Sequence, residues 1–304
     1  MEQTISDLIG KLMRFIHGGI VMDNVLVVLN YNDSKTTEGF LKNAQFCNAL
    51  QKIIVVDNCS TTGDFRKIQQ YASDKVDVIQ SEKNGGYAYG NNFGIRYAID
   101  KYSPEVCFVS NPDVTFEDET IVKMQSCLRK NEDIAVVAPI VNQGYNVWHL
   151  PRFWGVIESL FLVWHNFHKQ VLKKRILHSS KPIIKVGAVE GSFFAISTKA
   201  YEAISGFDER TFLYYEENIL AKRLRDQNLN VCVLVDCRYN HFHSVSIKKQ
   251  YKSKARAFKL FYPSMILYLE EYLHINKFQK KIFDFAFCLA HIERLLYDCV
   301  CKML

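Results

Sequence analysis

Glu216 and Glu217 stand side by side in the run "YYEENIL", and paired carboxylates can take and return protons. The same pair also suits a plain helix N-terminus, where acidic side chains favour the dipole. Asn111, Pro112 and Asp113 form a turn with one carboxylate. His241 and His243 lie two residues apart in "HFHS", so on a strand they would share a face. No nearby Cys or Asp completes a zinc set around them. The stretch "NGGYAYGNNFG", Asn84 to Gly94, has the glycines of a phosphate loop. It lacks the Lys-Ser/Thr of a Walker loop. Gly85, Gly86, Gly90 and Gly94 also miss the spacing and place of a dinucleotide fingerprint. Two readings remain: a tight turn with close helix packing, or a loop whose backbone approaches a ligand.

Alternating elements must position these residues. Apolar strands are expected at 25–29, 52–57, 76–80, 105–110 and 134–139, with helices near 35–50, 63–74, 90–102 and 118–130. The strands are continuous β-branched runs, so both faces are buried. Such βα units predict a parallel α/β sheet. In open sheets of this kind ligands bind beyond the carboxyl ends of the strands. That singles out Asn30, Tyr31, Asn32, Asp57, Asn58, Asn84 to Asn92, and Asn111 to Asp113. Further strands are expected at 186–197 and 231–237, with a helix from about Glu216 between them and a helical, aromatic and basic tail from about 255. Met22 directly precedes the first strand, which reads residues 1–21 as an upstream extension.

Six motifs in order resemble the family 2 glycosyltransferases of the GT-A fold, and particularly their rhamnosyltransferase-like branch. They are "NYN" (30–32), "VVDNCS" (55–60), "NGGYAYGNNFGI" (84–95), "NPDV" (111–114), "GFDERTFLYYEENILAKRL" (206–224) and "HFHSVS" (241–246). The resemblance covers roughly residues 23–250. It implies a Rossmann-like, mostly parallel sheet flanked by helices. The nucleotide-binding half would be 23–140 and the acceptor half 141–250. Residues 1–22 would form an N-terminal extension and 251–304 a C-terminal amphipathic helical region.

The resemblance also implies roles. Asn30, Tyr31 and Asn32 wall a nucleotide pocket, and Asp57, with Asn58 beside it, accepts from a pyrimidine N–H. A carboxylate at a strand end can read that imide donor. The backbone at Gly85 and Gly86 approaches ribose and phosphates, and Asn84, Asn91 and Asn92 offer side-chain hydrogen bonds. Asn92 reads equally as a packing residue. Asp113, in the place of a metal-binding DxD, holds Mg²⁺ or Mn²⁺, which prefer oxygen ligands. Asn111 replaces the first Asp of that motif. His241 stands near the diphosphate and metal, with Ser244 and Ser246 toward phosphate. Glu217 aligns with the general base of an inverting transfer and Glu216 precedes it; a Glu here usually reads Asp. Thr62, Asn218 and Ile219 also replace acidic residues. The implied donor is dTDP-rhamnose or a UDP-hexose. The implied acceptor is a glycan or lipid-linked glycan in surface polysaccharide (capsule) assembly.

Composition bounds the alternatives. With 48% hydrophobic and 23% charged residues the chain is globular. A net charge of +6 suits an anionic partner but is too diffuse for nucleic-acid binding. Nine scattered cysteines without a CxxC pair read as reduced thiols in a cytoplasmic protein. No run of about 18 apolar residues could span a bilayer. The aromatic-basic segments 152–175 and 255–302 suit either a membrane interface or packing on the core or a second subunit. A non-catalytic sugar-nucleotide-binding scaffold is the competing reading. A nucleotidyltransferase would want a basic Gly-rich signature after the first strand, and "NYNDSK" is not one.

Overall fold

The computed structural model describes residues 23–143, 146–162, 176, 179–242 and 253–303. The extension 1–22, residues 163–175, and His243 with Ser244 and Ser246 lie outside the described residues.

Strands β1 (Asn24–Asn30), β2 (Lys52–Asp57), β3 (Val76–Gln80) and β4 (Val106–Ser110) alternate with helices α1 (Ser34–Ala44), α2 (Asp64–Gln69) and α3 (Gly86–Tyr102). Next come β5 (Val114–Thr115), α4 (Asp118–Lys130), β6 (Ile134–Val141), β7 (Val147–Trp148) and α5 (Phe153–Leu160). β8 (Ile183–Val186), β9 (Ala188–Val189), β10 (Phe193–Ser197), α6 (Thr198–Ala203), α7 (Glu216–Asp226) and β11 (Asn230–His241) complete the α/β part. The C-terminal layer holds α8 (Lys254–Lys259), α9 (Phe261–Leu267), a π-helical turn (Tyr268–Tyr272) and α10 (Lys277–Met303).

The main sheet runs β3-β2-β1-β4-β10-β6-β11-β5, with β8 on β11. β1 pairs parallel with β2 and β4, and β6 with β11. β10 is inverted: it pairs antiparallel with both β4 and β6. The expected single strand over 186–197 is therefore three short pieces with a turn at Glu190 to Ser192. Because β10 runs backwards, its first residue, Phe193, pairs with Ser110, the last residue of β4. The turn before β10 thus lands at the carboxyl edge of the parallel strands.

Successive residues of β1 serve opposite cores. Val25 and Val27 pack with Ile95 and Ala98 of α3 and Leu224 of α7. Leu26 and Val28 pack with Leu41 of α1 and Met124 of α4. A third core joins α5 and the C-terminal layer to Tyr215 and Ile219 of the α7 start. α3 begins at Gly86, four residues earlier than expected, so most of "NGGYAYGNNFG" is helix. A Cβ at Gly94 would lie 2.5 Å from Val27 Cγ1 and 2.7 Å from Val56 Cγ2, so the helix sits tight on β1 and β2.

Candidate active site

The ends of β1 and β2 meet through side chains. Asn30 Nδ2 donates to Asp57 Oδ1 at 2.8 Å, and Asn30 Oδ1 accepts from Thr37 Oγ1 at 2.8 Å. Asp57 Oδ2 accepts from Gln80 Nε2 at 2.9 Å and Ser60 N at 3.2 Å. A carboxylate has about four acceptor sites, so one is left for a ligand donor. Asn30 and Asp57 are both fully buried, and Tyr31 is exposed on the rim. Asn32 has φ 52° and accepts the Thr61 N–H at 2.9 Å, which fixes the 60–62 loop. Thr62 donates to the buried Asp64 carboxylate at 2.8 Å, so this loop does hold an acid, two residues further on.

The glycine stretch departs from its expected role. Asn58 Nδ2 donates to Asn84 Oδ1 at 3.0 Å and to the Gly86 carbonyl at 3.1 Å. The Gly86 amide donates to Asn84 Oδ1 at 3.1 Å, and the Tyr87 amide to the Phe212 carbonyl at 3.0 Å. These N–H groups are already committed inside the fold, so they do not stand open to phosphates. Gly85 is the residue before the helix. Gly86 has φ 87°, and a Cβ there would collide with the Phe212 carbonyl. The close approach it permits is by protein backbone. Asn91 is buried and donates to the Tyr87 carbonyl at 3.0 Å. Asn92 donates to the Phe207 carbonyl at 2.9 Å and Glu209 Oε1 at 2.8 Å, and accepts from Tyr201 Oη at 2.8 Å and Phe207 N at 2.9 Å. All four of its hydrogen-bonding positions are filled. Asn92 pins α3 to the core rather than facing a ligand, whereas the Asn91 bond lies within α3 and its Oδ1 has no partner among the described residues.

The inverted strand builds the other side. The Asn111 amide donates to the Ser192 carbonyl at 2.8 Å. β5 pairs with the end of β11, His241 opposite Val114, which brings His241 Nε2 to 3.3 Å from Asp113 Oδ1. Glu190 Oε1 lies 3.6 Å from His241 Nδ1. Burial disfavours a charged imidazole here, but the Asp113 hydrogen bond and the charges of Asp113 and Glu190 outweigh it and raise the His241 pKa. Asp113 and His241 can offer one oxygen and one nitrogen donor to a cation. Among the described residues no three His, Cys, Asp or Glu side chains converge as a metal cage. Mg²⁺-type sites commonly use one or two protein ligands and take the rest from substrate phosphates and water, so the pair fits that pattern.

Glu217 is anchored from the same turn. The Gly191 amide donates to Glu217 Oε1 at 3.0 Å, and Tyr87 Oη donates to the Gly191 carbonyl at 2.6 Å. Burial raises the Glu217 pKa and Glu190 adds to this, while the Gly191 hydrogen bond works against it. Glu216 is buried with Oε1 unpartnered among the described residues. Burial and the charge of Glu217 push its pKa well up, while the Gly191 amide favours the ionised form of Glu217, so of the two Glu217 is the one whose surroundings stabilise a carboxylate. Asn218 Oδ1 accepts from Trp148 Nε1 at 2.8 Å.

Tyr214 and Tyr215, directly before the pair, have φ 71° and 70°. Left-handed backbone in bulky residues persists only where surroundings enforce it. Here Tyr214 stacks on Phe261 at 3.8 Å, Tyr215 packs on Tyr268 at 5.6 Å, and Ser264 Oγ donates to the Leu213 carbonyl at 3.2 Å. Glu190 and Gly191 were not singled out from sequence; their one signal is an acid and a glycine interrupting the apolar run "VGAVEGSFFAIS", while Tyr87 stood inside the glycine stretch without a role.

Known proteins agree with this architecture. Over 224 residues the chain is 29% identical to the low-salt glycan biosynthesis hexosyltransferase Agl10 of Haloferax volcanii, covering 72% of this chain and 67% of that protein. Over 190 residues it is 24% identical to the dTDP-rhamnosyl transferase RfbF of Shigella flexneri, covering 62% of this chain and 59% of the other. The mannosyltransferase PcManGT of Pyrobaculum calidifontis, solved with GDP-Man and Mn²⁺, superposes with a TM-score of 0.53 at 14% identity, over 92% of this chain and 78% of that one. At that identity the likeness shows the fold, which is GT-A. The family described as "Glycosyl transferase family 2" matches residues 25–204, more than half of the sequence, so the chain belongs to glycosyl transferase family 2 and is a glycosyltransferase.

Proposed function

We propose that this enzyme transfers a sugar, with inversion, from a nucleoside-diphosphate sugar to a hydroxyl of a glycan or lipid-linked glycan in surface polysaccharide assembly. The observation that carries the reading is Glu217, a half-buried carboxylate held by the Gly191 amide beside the buried Glu216. In an inverting transfer one carboxylate takes the acceptor proton as that oxygen attacks the anomeric carbon and the nucleoside diphosphate leaves. Anchoring Oε1 orients the carboxylate without neutralising it. Asp57, at the end of β2, offers its remaining acceptor position to the base. Asp113 and His241 would hold Mg²⁺ or Mn²⁺, which would neutralise charge on the departing diphosphate.

The division into a nucleotide half (23–140) and an acceptor half (141–250) is consistent with Asp57 and Asp113 on one side and Glu217 on the other. Similarity to a dTDP-rhamnosyl transferase supports dTDP-rhamnose as donor, and similarity to a hexosyltransferase supports a UDP-hexose as the second candidate. The test is turnover and binding with a panel of nucleotide sugars, using wild type and Glu217→Gln. The expected result is retained donor binding with lost turnover in the variant. Full turnover in Glu217→Gln would overturn the assignment of the base, and donor binding without turnover by wild type on every acceptor tried would favour the scaffold reading.

A further inference from the structure

α10 is a long helix with two apolar faces. One is buried: Phe283, Ala286, Phe287 and Ala290 pack on α5, α8 and α9, with Arg294 stacked over Phe258 at 3.7 Å. The opposite face exposes Phe278, Phe285, Leu289, Ile292, Leu295 and Leu296, with Phe278 71%, Phe285 67% and Leu296 63% accessible. Spacings of seven, four, three, three and one residues place them on one stripe. The stripe runs about 27 Å at 1.5 Å per residue. The acids nearest its borders face elsewhere: Asp284 accepts from Tyr262 Oη at 2.8 Å and Glu293 from the Leu162 amide at 3.3 Å.

Its start is basic: Lys277 and Lys281 are exposed there. α8 packs on the other face of α10, where Ser253 Oγ donates to Asp298 Oδ2 at 2.6 Å and Phe258 lies under Arg294. No helix among the described residues is long and apolar enough to cross a membrane. An apolar stripe with exposed lysines at its start fits a helix lying in the plane of a bilayer, with Lys277 and Lys281 on acidic headgroups.

We propose that the outer face of α10 docks the enzyme flat on an anionic lipid surface. The proposal does not depend on the transfer reading, because lipid docking needs neither donor nor base.

The test is flotation with phosphatidylcholine vesicles with and without phosphatidylglycerol, comparing wild type, Phe285→Glu/Ile292→Glu/Leu296→Glu, Lys277→Glu/Lys281→Glu and Glu217→Gln. Wild type and Glu217→Gln should bind the phosphatidylglycerol vesicles equally. The triple variant should lose roughly tenfold or more in binding, and the lysine variant should lose its preference for the acidic lipid. All three substituted positions are solvent-exposed, so circular dichroism and melting temperature should be unchanged. Wild type that stays off the acidic vesicles, or a triple variant that binds them as well as wild type, overturns the proposal. So does a wild-type dimer, by light scattering, that the triple variant converts to monomer without any vesicle binding.

Discussion

Gly191 and Glu217 are joined by one hydrogen bond, 3.0 Å from amide nitrogen to Oε1, across 26 residues of sequence. The carbonyl of the same residue accepts from Tyr87 Oη. A carboxylate at a helix start is thus fixed by the turn that precedes an inverted strand.

If Glu217 is the base and Glu216 its neutral neighbour, their substitutions separate. Glu217→Gln should lower kcat by about 10²–10⁴, the usual worth of a positioned general base. Glu216→Gln preserves shape and charge state and should cost less than about tenfold on the same scale. Initial rates at saturating donor distinguish the two; equal losses would refute the assignment.

Burial raises the Glu217 pKa, and a base works only when deprotonated. Activity should therefore be lost, as pH falls, at a pH above the ordinary glutamate value of about 4.3. A kcat/KM profile with its acidic limb at or below that value would contradict the observed burial of the carboxylate.

Gly191→Ala should disable the enzyme without unfolding it. The new Cβ would lie 2.7 Å from Tyr87 Oη and 2.9 Å from Glu217 Oε1. Something must shift, and the far ends of those two side chains are the movable parts. Adding Tyr87→Phe removes the nearer clash, so the double variant should recover part of the rate. Melting temperature should stay within a few degrees of wild type throughout, a shift of about 1 kcal/mol or less.

Asp208 links the turn before Glu216 to the C-terminal layer. Burial alone would raise its pKa, but hydrogen bonds from Arg210 and Tyr272 outweigh it and hold it at about 2. The folded value lies below the unfolded one, so the contribution is complete above about pH 3.9 and fades as pH falls toward 2. From the ordinary value of 3.8 the shift corresponds to about 2 kcal/mol for this nearly buried side chain. Tyr272→Phe, which removes a 2.6 Å hydrogen bond, should cost about 1 kcal/mol at pH 7. Urea titrations at pH 7 and pH 3 would show the difference between variant and wild type shrinking at the lower pH.

Chelation of divalent cations should abolish transfer if Asp113 and His241 hold Mg²⁺ or Mn²⁺. Asp113→Asn should raise the metal concentration needed for half-maximal rate, measured by Mn²⁺ titration. An unchanged requirement would remove Asp113 from the metal site.

Much of this was written in local pattern. The runs "KIIVVD" and "VDVIQ" give β2 and β3 to the residue, although only β2 is buried on both faces and β3, at the sheet edge, is half-buried. The glycine stretch misled for a local reason: glycines disfavour helix, yet α3 starts at Gly86 because Phe212 and Asn84 take the first amides. Asn92 looks like a ligand donor until its partners appear, 109 to 117 residues away. Glu190 was hidden in an apolar run that reads as one strand. Only the reversal of β10 brings it beside His241, and strand direction is set by the sheet, not by six residues of sequence.

The two left-handed tyrosines bear on the order in which the protein is made. The turn that presents Glu217 is held by Phe261, Ser264 and Tyr268, which leave the ribosome dozens of residues later. During synthesis β1, β2 and β3, with Asp57 at the end of β2, can assemble first, while the proton-accepting turn still lacks its support. A growing chain of this protein would acquire the Asp57 side of its site before its reactivity.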